Sequence, residues 1–447
     1  MMKRIALLAA ACGALAASAA VKVDFSQEVG PVRPMHGAGQ PPQIGYDYKL
    51  FRYLKEAGIP YSRLHDVGGA YGKNIYVDIP NLFRDFDADE NDPKSYDFAF
   101  TDHLLKALVA NGVEPYFRLG ITIEHRADIR AYRTFPPKDP EKWARICEHV
   151  VRHYTEGWAN GFKWKITYWE IWNEPEGTSM WKGTWDDYFR LYEASSKHLK
   201  KCFPHLKIGG YGSCGFYAAG KNPGEIAEKA SARGRRYMDF FFKFLDYVKA
   251  HDCPLDFFSF HSYAKVEDAL KQSKWCLATL KEKGFGHVET SINEWLPAPS
   301  HERLGSADQA ADVCAEMIGF QHLGLTTAMI YDARCGVGNY SPLFNPMTYK
   351  PHKAYYALKC FNELYRLKTE VKSSSDDPNV YVMAAGGPAG GAVLVANVSK
   401  NPVPFAPDLG GRKVLACRIT DATRTDAEIQ MPSELPPHSF VLLKTGE

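Results

Sequence analysis

A glycine-punctuated rhythm constrains this 447-residue chain more than any other feature. Across residues 47–57 the apolar positions Leu50, Phe51, Leu54 and Ala57 fall at helical spacing; Gly58 follows, and residues 60–65 read as a strand. Leu104, Leu105 and Leu108 share one face of a second helix over 97–111, Gly112 ends it, and 113–119 continues as a strand. The same order recurs at Gly284 and again at Gly324, before 325–331. Glycine suits the residue just past a helix, where the backbone turns left-handed. Completing the pattern places strands near 33–38, 60–65, 113–118, 165–173, 206–210, 256–261, 286–293 and 325–331, with helices between them and a last helix near 350–366. Eight strand–helix units predict an α/β fold, a (β/α)8 TIM barrel over residues 31–367. An open doubly wound sheet is the competing arrangement. Against it, His36-Gly37-Ala38-Gly39-Gln40-Pro41-Pro42 after the first strand is no phosphate-cradling glycine loop.

Beyond residue 367 the pattern changes. Ser373-Ser374-Ser375-Asp376-Asp377-Pro378 is a turn, and short strands follow near 380–384, 392–398, 414–419 and 440–444. This predicts a smaller β-sandwich over 368–447, which the alternating strand within 20–30 is expected to join. Residues 1–19 carry the marks of a secretory signal: Lys3 and Arg4, an apolar middle, and Ala17-Ser18-Ala19 as a cleavage site. A secreted or periplasmic protein is therefore expected, with Cys12 a poor lipidation site because no leucine stands just upstream. That apolar run is too short to span a membrane and no other span is visible. The formal charge of +2 falls to near zero without Lys3 and Arg4, which gives no footing for nucleic acid. The nine remaining cysteines are not spaced as metal clips, and no metal or other cofactor is expected. Asn397-Val398-Ser399 is a glycosylation-type triplet of the kind that arises by chance.

Chemistry concentrates where barrel strands end. Ile166-Thr167-Tyr168-Trp169-Glu170-Ile171-Trp172-Asn173-Glu174-Pro175 is a buried-type strand closing on a polar pair and a proline, and Val288-Glu289-Thr290-Ser291-Ile292-Asn293-Glu294-Trp295-Leu296-Pro297 echoes it. Strict alternation sets Tyr168, Glu170, Trp172 and Glu174 on one side, Trp169, Ile171 and Asn173 on the other. The remaining strand ends supply His36, then Arg63, His65 and Asp66, then Arg118 with Glu124 and His125, then His261 and Tyr263, and finally Tyr331, Asp332 and Arg334. Two carboxyls facing each other across such a mouth are the equipment of a retaining glycosidase, one protonating the leaving oxygen and the other attacking the sugar. Glu174 and Glu294 are the catalytic candidates, with Arg63 and Tyr263 positioned to bond Glu294 and hold it ionised. Glu170 lies deeper and reads as a structural carboxylate, Glu289 sits nearer the barrel's bottom, and Trp181 and Trp185 are stacking platforms or core. Asn173, His65, His261, Tyr263, Arg63, Glu124 and Arg118 are the candidate substrate contacts.

Trp169-Glu170-Ile171-Trp172-Asn173-Glu174-Pro175 resembles the acid/base strand of clan A retaining glycoside hydrolases. Within that clan the chain is similar to glycoside hydrolase family 39, which holds β-xylosidases and α-L-iduronidases. Asp256-Phe257-Phe258-Ser259-Phe260-His261-Ser262-Tyr263, Ile292-Asn293-Glu294-Trp295 and Lys350-Pro351-His352-Lys353-Ala354-Tyr355-Tyr356-Ala357 support the likeness. The resemblance implies Glu174 as acid/base, Glu294 as nucleophile, Asn173 on the sugar 2-hydroxyl, Tyr263 and Arg63 on the nucleophile, and His65 on the sugar. It implies an exo-acting, β-xylosidase-like enzyme on oligosaccharide or polysaccharide. It also implies a tryptophan after strand eight, where this chain has Tyr331-Asp332-Ala333-Arg334, and strand three ends in unusually charged residues. These departures suit another sugar, such as a uronate, galactose or arabinose unit. An endo-acting enzyme of the clan and a non-catalytic carbohydrate-binding barrel are the other readings.

Overall fold

A computed structural model describes residues 21–45, 47–65, 67, 76–122, 134–387 and 390–446. The expected leader at 1–19 with Cys12, and the candidates Asp66, Glu124 and His125, lie outside the described residues. Eight parallel strands close into a barrel in chain order: β2 (Gly37–Gly39), β3 (Tyr61–Leu64), β4 (Glu114–Leu119), β5 (Tyr168–Ile171), β6 (Lys207–Ser213), β7 (Phe257–Ser262), β8 (Glu289–Trp295) and β9 (Thr327–Ile330). The helices between them are α1 (Phe51–Glu56), α2 (Ile79–Leu82), α3 (Ala99–Ala110), α4 (Pro140–Thr155), α5 (Trp185–Cys202), α6 (Ala232–Ala250), α7 (Val266–Glu282) and α8 (Ala307–Leu323), with α9 (Lys353–Leu367) after the last strand. The glycine signals mark real stops: Gly58, Gly112, Gly284 and Gly324 all have positive φ. At the other helix ends, Thr184 and Asp187 form a reciprocal capping box on α5, and Ser231 and Ser306 cap α6 and α8.

The barrel floor is an apolar plug of Tyr116, Tyr168, Phe257 and Met329, buried beneath the polar layer. It closes because neighbouring positions are small: a Cβ on Gly209 would lie 2.1 Å from the Phe257 carbonyl oxygen. Charged and amide side chains above this plug are shut off from water on the lower side, so their hydrogen bonds are made in a low-dielectric setting. His36 belongs below the mouth, not in it. It precedes β2, bonds the Gly58 carbonyl through Nε2 (3.1 Å) and packs on Phe361 and Tyr365 of α9. Burial pushes its pKa down to about 4.

The second unit is an antiparallel sheet, with β1 (Lys22–Pro31) on one edge followed by β10 (Thr369–Ser374), β11 (Val380–Gly387), β12 (Gly390–Asn397), β17 (Ser439–Gly446), β14 (Lys413–Thr420) and β15 (Ala427–Ile429). Alternation splits its two faces. Met383, Ala385, Leu394 and Leu442 merge with the barrel core under α8 and α9, whereas Val382, Ala384, Val393 and Leu443 form a separate core covered by β13 (Val403–Pro404) and β16 (Glu434–Leu435). The sandwich is lopsided: one face uses barrel helices as its second layer. Asn397 of the glycosylation-type triplet is fully buried, its Nδ2 bonded to the carbonyls of Asn401, Leu435 and Pro436. No two described cysteines are paired, and seven of the nine are buried.

Candidate active site

Both Asn-Glu strand ends abandon the regular pleat. On β5 the pleat stops at Trp172, whose φ is +73°, and Glu174 follows at +48°. Alternation would turn the Trp172 ring inward. Instead it packs between Trp143 and Trp181, with Nε1 donating to the Met180 carbonyl (3.1 Å), and Asn173 turns into the barrel to accept from Arg63 Nη2 (2.6 Å). On β8 the device is a bulge: Phe260 pairs with Ile292 and His261 with Glu294, which leaves Asn293 unmatched. Asn293 and Glu294 then both face inward, although they are adjacent in sequence. Asn293 Nδ2 donates to Glu170 Oε1 (2.6 Å).

Arg63 is the hub of the interior. Its Nε donates to Glu170 Oε2, its Nη1 to Glu294 Oε1 and its Nη2 to Asn173 Oδ1, each at 2.6 Å. Glu170 is the structural carboxylate the sequence suggests, bonded also by Ser259 Oγ (2.5 Å). Gly212, at φ +64°, leaves room for this hub, because a Cβ there would come within 3.0 Å of Arg63 Nη2 and 3.1 Å of Asn173 Oδ1. Glu294 is almost wholly enclosed. Tyr263 Oη donates to its Oε2 (2.8 Å), and His65 Nε2 lies 3.9 Å from its Oε1. Burial is the largest influence on Glu294 and lifts its pKa above the ordinary glutamate value. His261, Arg63 and the Tyr263 hydroxyl pull the other way, and the Glu174 charge adds to the rise. The sequence-based expectation counted those partners but not the loss of water.

Glu174 is the more open partner, its side chain 27% exposed against 7% for Glu294. His261 stands between them, with Nδ1 at 2.8 Å from Glu174 Oε1 and 3.4 Å from Glu294 Oε2. Burial opposes a charge on His261, but the carboxylates of Glu294 and Glu174 outweigh it and raise its pKa. An oxygen of Glu174 and one of Glu294 lie within 4.8 Å of each other. Beside them the rings of Tyr263, Tyr331 and Tyr340 meet edge to face, 5.0–6.0 Å apart. Tyr331 thus lines the position where the family resemblance implies a tryptophan.

Not every sequence candidate reaches this cluster. Arg118 is fully buried, with Nη2 donating to Asp78 Oδ1 (2.5 Å), so it offers a substrate no surface. Its partner Asp78 sits in the segment before α2 and also accepts from the Thr122 amide (3.0 Å), a contact no strand-end reading reveals. Glu289 lies at the floor, bonded by Tyr168 Oη (2.8 Å) and Lys207 Nζ (3.1 Å). Trp181 is core, and Trp185 packs on Phe240 of α6 in the helical layer. Two residues near the site went unread in the sequence. Glu176, fully buried, accepts from the Cys214 amide (2.7 Å) and Ser213 Oγ (2.9 Å), and Tyr217 Oη accepts from the Tyr263 amide (2.8 Å).

Comparison with known proteins agrees with this architecture. The chain is 24% identical over 278 residues to a β-xylosidase of Geobacillus stearothermophilus, a match covering 55% of this chain and about half (51%) of that relative's length. Among solved structures it superposes on a glucosidase from Croceicoccus marinus with a TM-score of 0.75 at 19% identity, covering 96% of this chain and 99% of the other. It also superposes on a family 39 β-xylosidase from Caulobacter crescentus with a TM-score of 0.69 at 17% identity, covering 96% and 100%. Residues 28–302 match the model of glycosyl hydrolases family 39, and the chain belongs to that family.

Proposed function

We propose that the protein is a retaining, exo-acting glycoside hydrolase that removes a terminal sugar from an oligosaccharide or polysaccharide. The observation that carries this reading is the approach of Glu174 and Glu294 within 4.8 Å across one opening. Retaining enzymes hold their two carboxyls about 5–5.5 Å apart, close enough for direct attack and too close for an intervening water. Glu294 attacks the anomeric carbon while Glu174 gives its proton to the glycosidic oxygen, so the bond to the leaving group breaks as the glycosyl ester forms. Water then enters; Glu174 takes a proton from it, and the ester bond to Glu294 breaks. Arg63 and Tyr263 fix the two oxygens of Glu294 and so aim its lone pair. Asn173, held by Arg63, is placed for a hydroxyl of the sugar.

Xylose is the first sugar to test, because the relative named above is a β-xylosidase. Tyr331 in place of the implied tryptophan favours including glucose, galactose, arabinose and uronate glycosides. Exo action rests on the long segments after β3 and β4, of the kind that close one end of a groove. The deciding experiment is a panel of aryl glycosides, followed by NMR of the first-formed sugar from whichever is cleaved. Retention of anomeric configuration is expected. Inversion would overturn the mechanism, and binding of sugar without turnover of any glycoside would favour a non-catalytic barrel. On a natural chain, release of single sugars from one end is expected; mid-chain cuts would overturn exo action.

A further inference from the structure

Beside Glu174 the molecule builds a second feature that the two-carboxylate chemistry does not use. Helix α6 begins with Arg233, Arg235 and Arg236 and has no acidic residue in its first turn. Cations at a helix N-terminus oppose the helix dipole and lower stability. Arg235 turns back onto the carbonyl of Glu228. Among the described residues the other two keep N–H groups without a partner: Arg233 Nε donates to Tyr237 Oη, while Arg236 Nε donates to the Glu176 carbonyl (3.0 Å) and its guanidinium lies 5.1 Å from the Trp185 ring centre. Among the described residues neither Arg233 nor Arg236 meets a carboxylate. Together with Tyr237 they form one wall of a hollow of about 370 Å³, and Glu176-Gly177-Thr178-Ser179 forms the other.

Glu176 is the second observation. The residue lines this hollow, its carbonyl accepting from Arg236, while its side chain is fully buried behind it and its Oε2 has no hydrogen-bond partner among the described residues. Burial, with the Glu174 charge adding, pushes its pKa up to about 8. At neutral pH it therefore holds a proton and adds no negative charge beside the arginines, of which Arg233 also feels the Glu174 carboxylate. The hollow lies close to the acid/base candidate: the Gly177 amide donates to the Glu174 backbone carbonyl (2.8 Å), and the Glu174 charge acts on Arg233. A carboxyl that protonates the glycosidic oxygen stands on the leaving-group side of the broken bond. We propose that this hollow is a leaving-group subsite for a sugar bearing a carboxylate or sulfate, held by Arg233 and Arg236. The proposal rests on the retaining-glycosidase reading above and narrows its substrate to chains with an anionic residue next to the cleaved bond.

The glycosyl-enzyme allows a direct test, because an acceptor must enter through the same subsite. An acceptor hydroxyl displaces Glu294 from the anomeric carbon, its proton passes to Glu174, and a new glycoside leaves with the Glu294 carboxylate restored. The donor is the aryl glycoside that the full-length protein cleaves best; D-glucuronate, D-glucose 6-sulfate and D-glucose compete as acceptors, and the transfer products are counted. At low salt an anionic acceptor is expected to exceed glucose about tenfold, and the ratio should fall toward one in 1 M salt, where screening acts within about 3 Å. Arg233→Gln and Arg236→Gln should each cut the ratio about threefold, and the double variant should remove it. A larger ratio for glucuronate assigns the subsite to a uronate, and a larger one for the 6-sulfate assigns it to a sulfated sugar. Equal transfer to all three acceptors, no transfer to an anionic one, or a preference that survives in the double variant overturns this proposal alone. Failure to cleave any aryl glycoside overturns the glycosidase reading and this proposal with it.

Discussion

The ends of β5 and β8 look alike in sequence and are opposites in surroundings. Each closes a strand with Asn-Glu, and each needs both residues inside the barrel, which a regular pleat forbids. At β5 the chain achieves this with left-handed backbone at Trp172 and Glu174, conformations that cost a non-glycine residue of order 1 kcal/mol each. At β8 an inserted residue does it through a bulge. The outcomes differ in the same direction as the proposed tasks. Glu294 is gripped by Arg63, Tyr263 and His261, whereas Glu174 keeps about a quarter of its side chain exposed and bonds His261. A nucleophile gains from fixed orientation. A proton donor must reach the leaving group and be recharged from water, so openness serves it.

Removing the two carboxyls should expose that contrast most strongly. Glu294→Gln is expected to lower kcat by about 10⁵ with every substrate, because the covalent step is lost. Glu174→Gln should cost about 10²–10⁴, with a loss that shrinks as the leaving group becomes more acidic and needs less protonation. Steady-state kinetics over a series of substituted phenyl glycosides separates the two. Equal losses across the series for both variants would erase the assigned difference. Azide added to the corresponding alanine variants should give a glycosyl azide of retained configuration for Glu174→Ala and inverted configuration for Glu294→Ala.

How much of this was readable in advance depended on whether a feature is periodic. The barrel was legible because its helix–glycine–strand units repeat, and Arg63, Tyr263 and the paired glutamates were legible because strand C-terminal ends are fixed points of such a fold. Alternation failed at Trp172 and Asn173, where positive φ overrides side-chain periodicity, and at Asn293, where a bulge inserts a residue. Arg118 misled for another reason. Its strand position is at the mouth, but Asp78 reaches it from 40 residues away in a connecting segment, and no local pattern announces such a partner. His36 failed by a shift of boundary, since β2 begins one residue after it.

A smaller effect sharpens the β8 side. The Tyr263 hydroxyl, 2.8 Å from Glu294 Oε2, favours the ionised carboxylate. Tyr263→Phe should reduce kcat/KM by about 10- to 100-fold, the worth of one charge-assisted hydrogen bond. The pH profile carries the sign. In the proposed mechanism Glu294 attacks in its ionised form, and its pKa is raised, so the acid limb of kcat/KM should lie above pH 4.5 in the wild type. Without the hydroxyl the neutral form gains, and the limb should move to still higher pH. A limb that stays put would mean that the tyrosine orients the carboxylate without altering its charge.

The β5 side offers the finest test, through stability and not turnover. Glu176 fastens the turn behind Glu174 to β6 while its pKa is raised from 4.5 to about 8. Between those values the folded protein keeps a proton that the unfolded chain has released, so this group favours the unfolded state progressively as pH rises. The slope is up to about 1.4 kcal/mol per pH unit, and it vanishes below pH 4.5 and above pH 8. Glu176→Gln keeps an oxygen for the Ser213 and Cys214 donors but cannot ionise. Urea unfolding of both proteins at pH 5, 6.5 and 8 should therefore show the variant gaining on the wild type step by step. A difference independent of pH would place the Glu176 carboxyl in contact with solvent, and the turn that carries Glu174 would then be more loosely held than its hydrogen bonds imply.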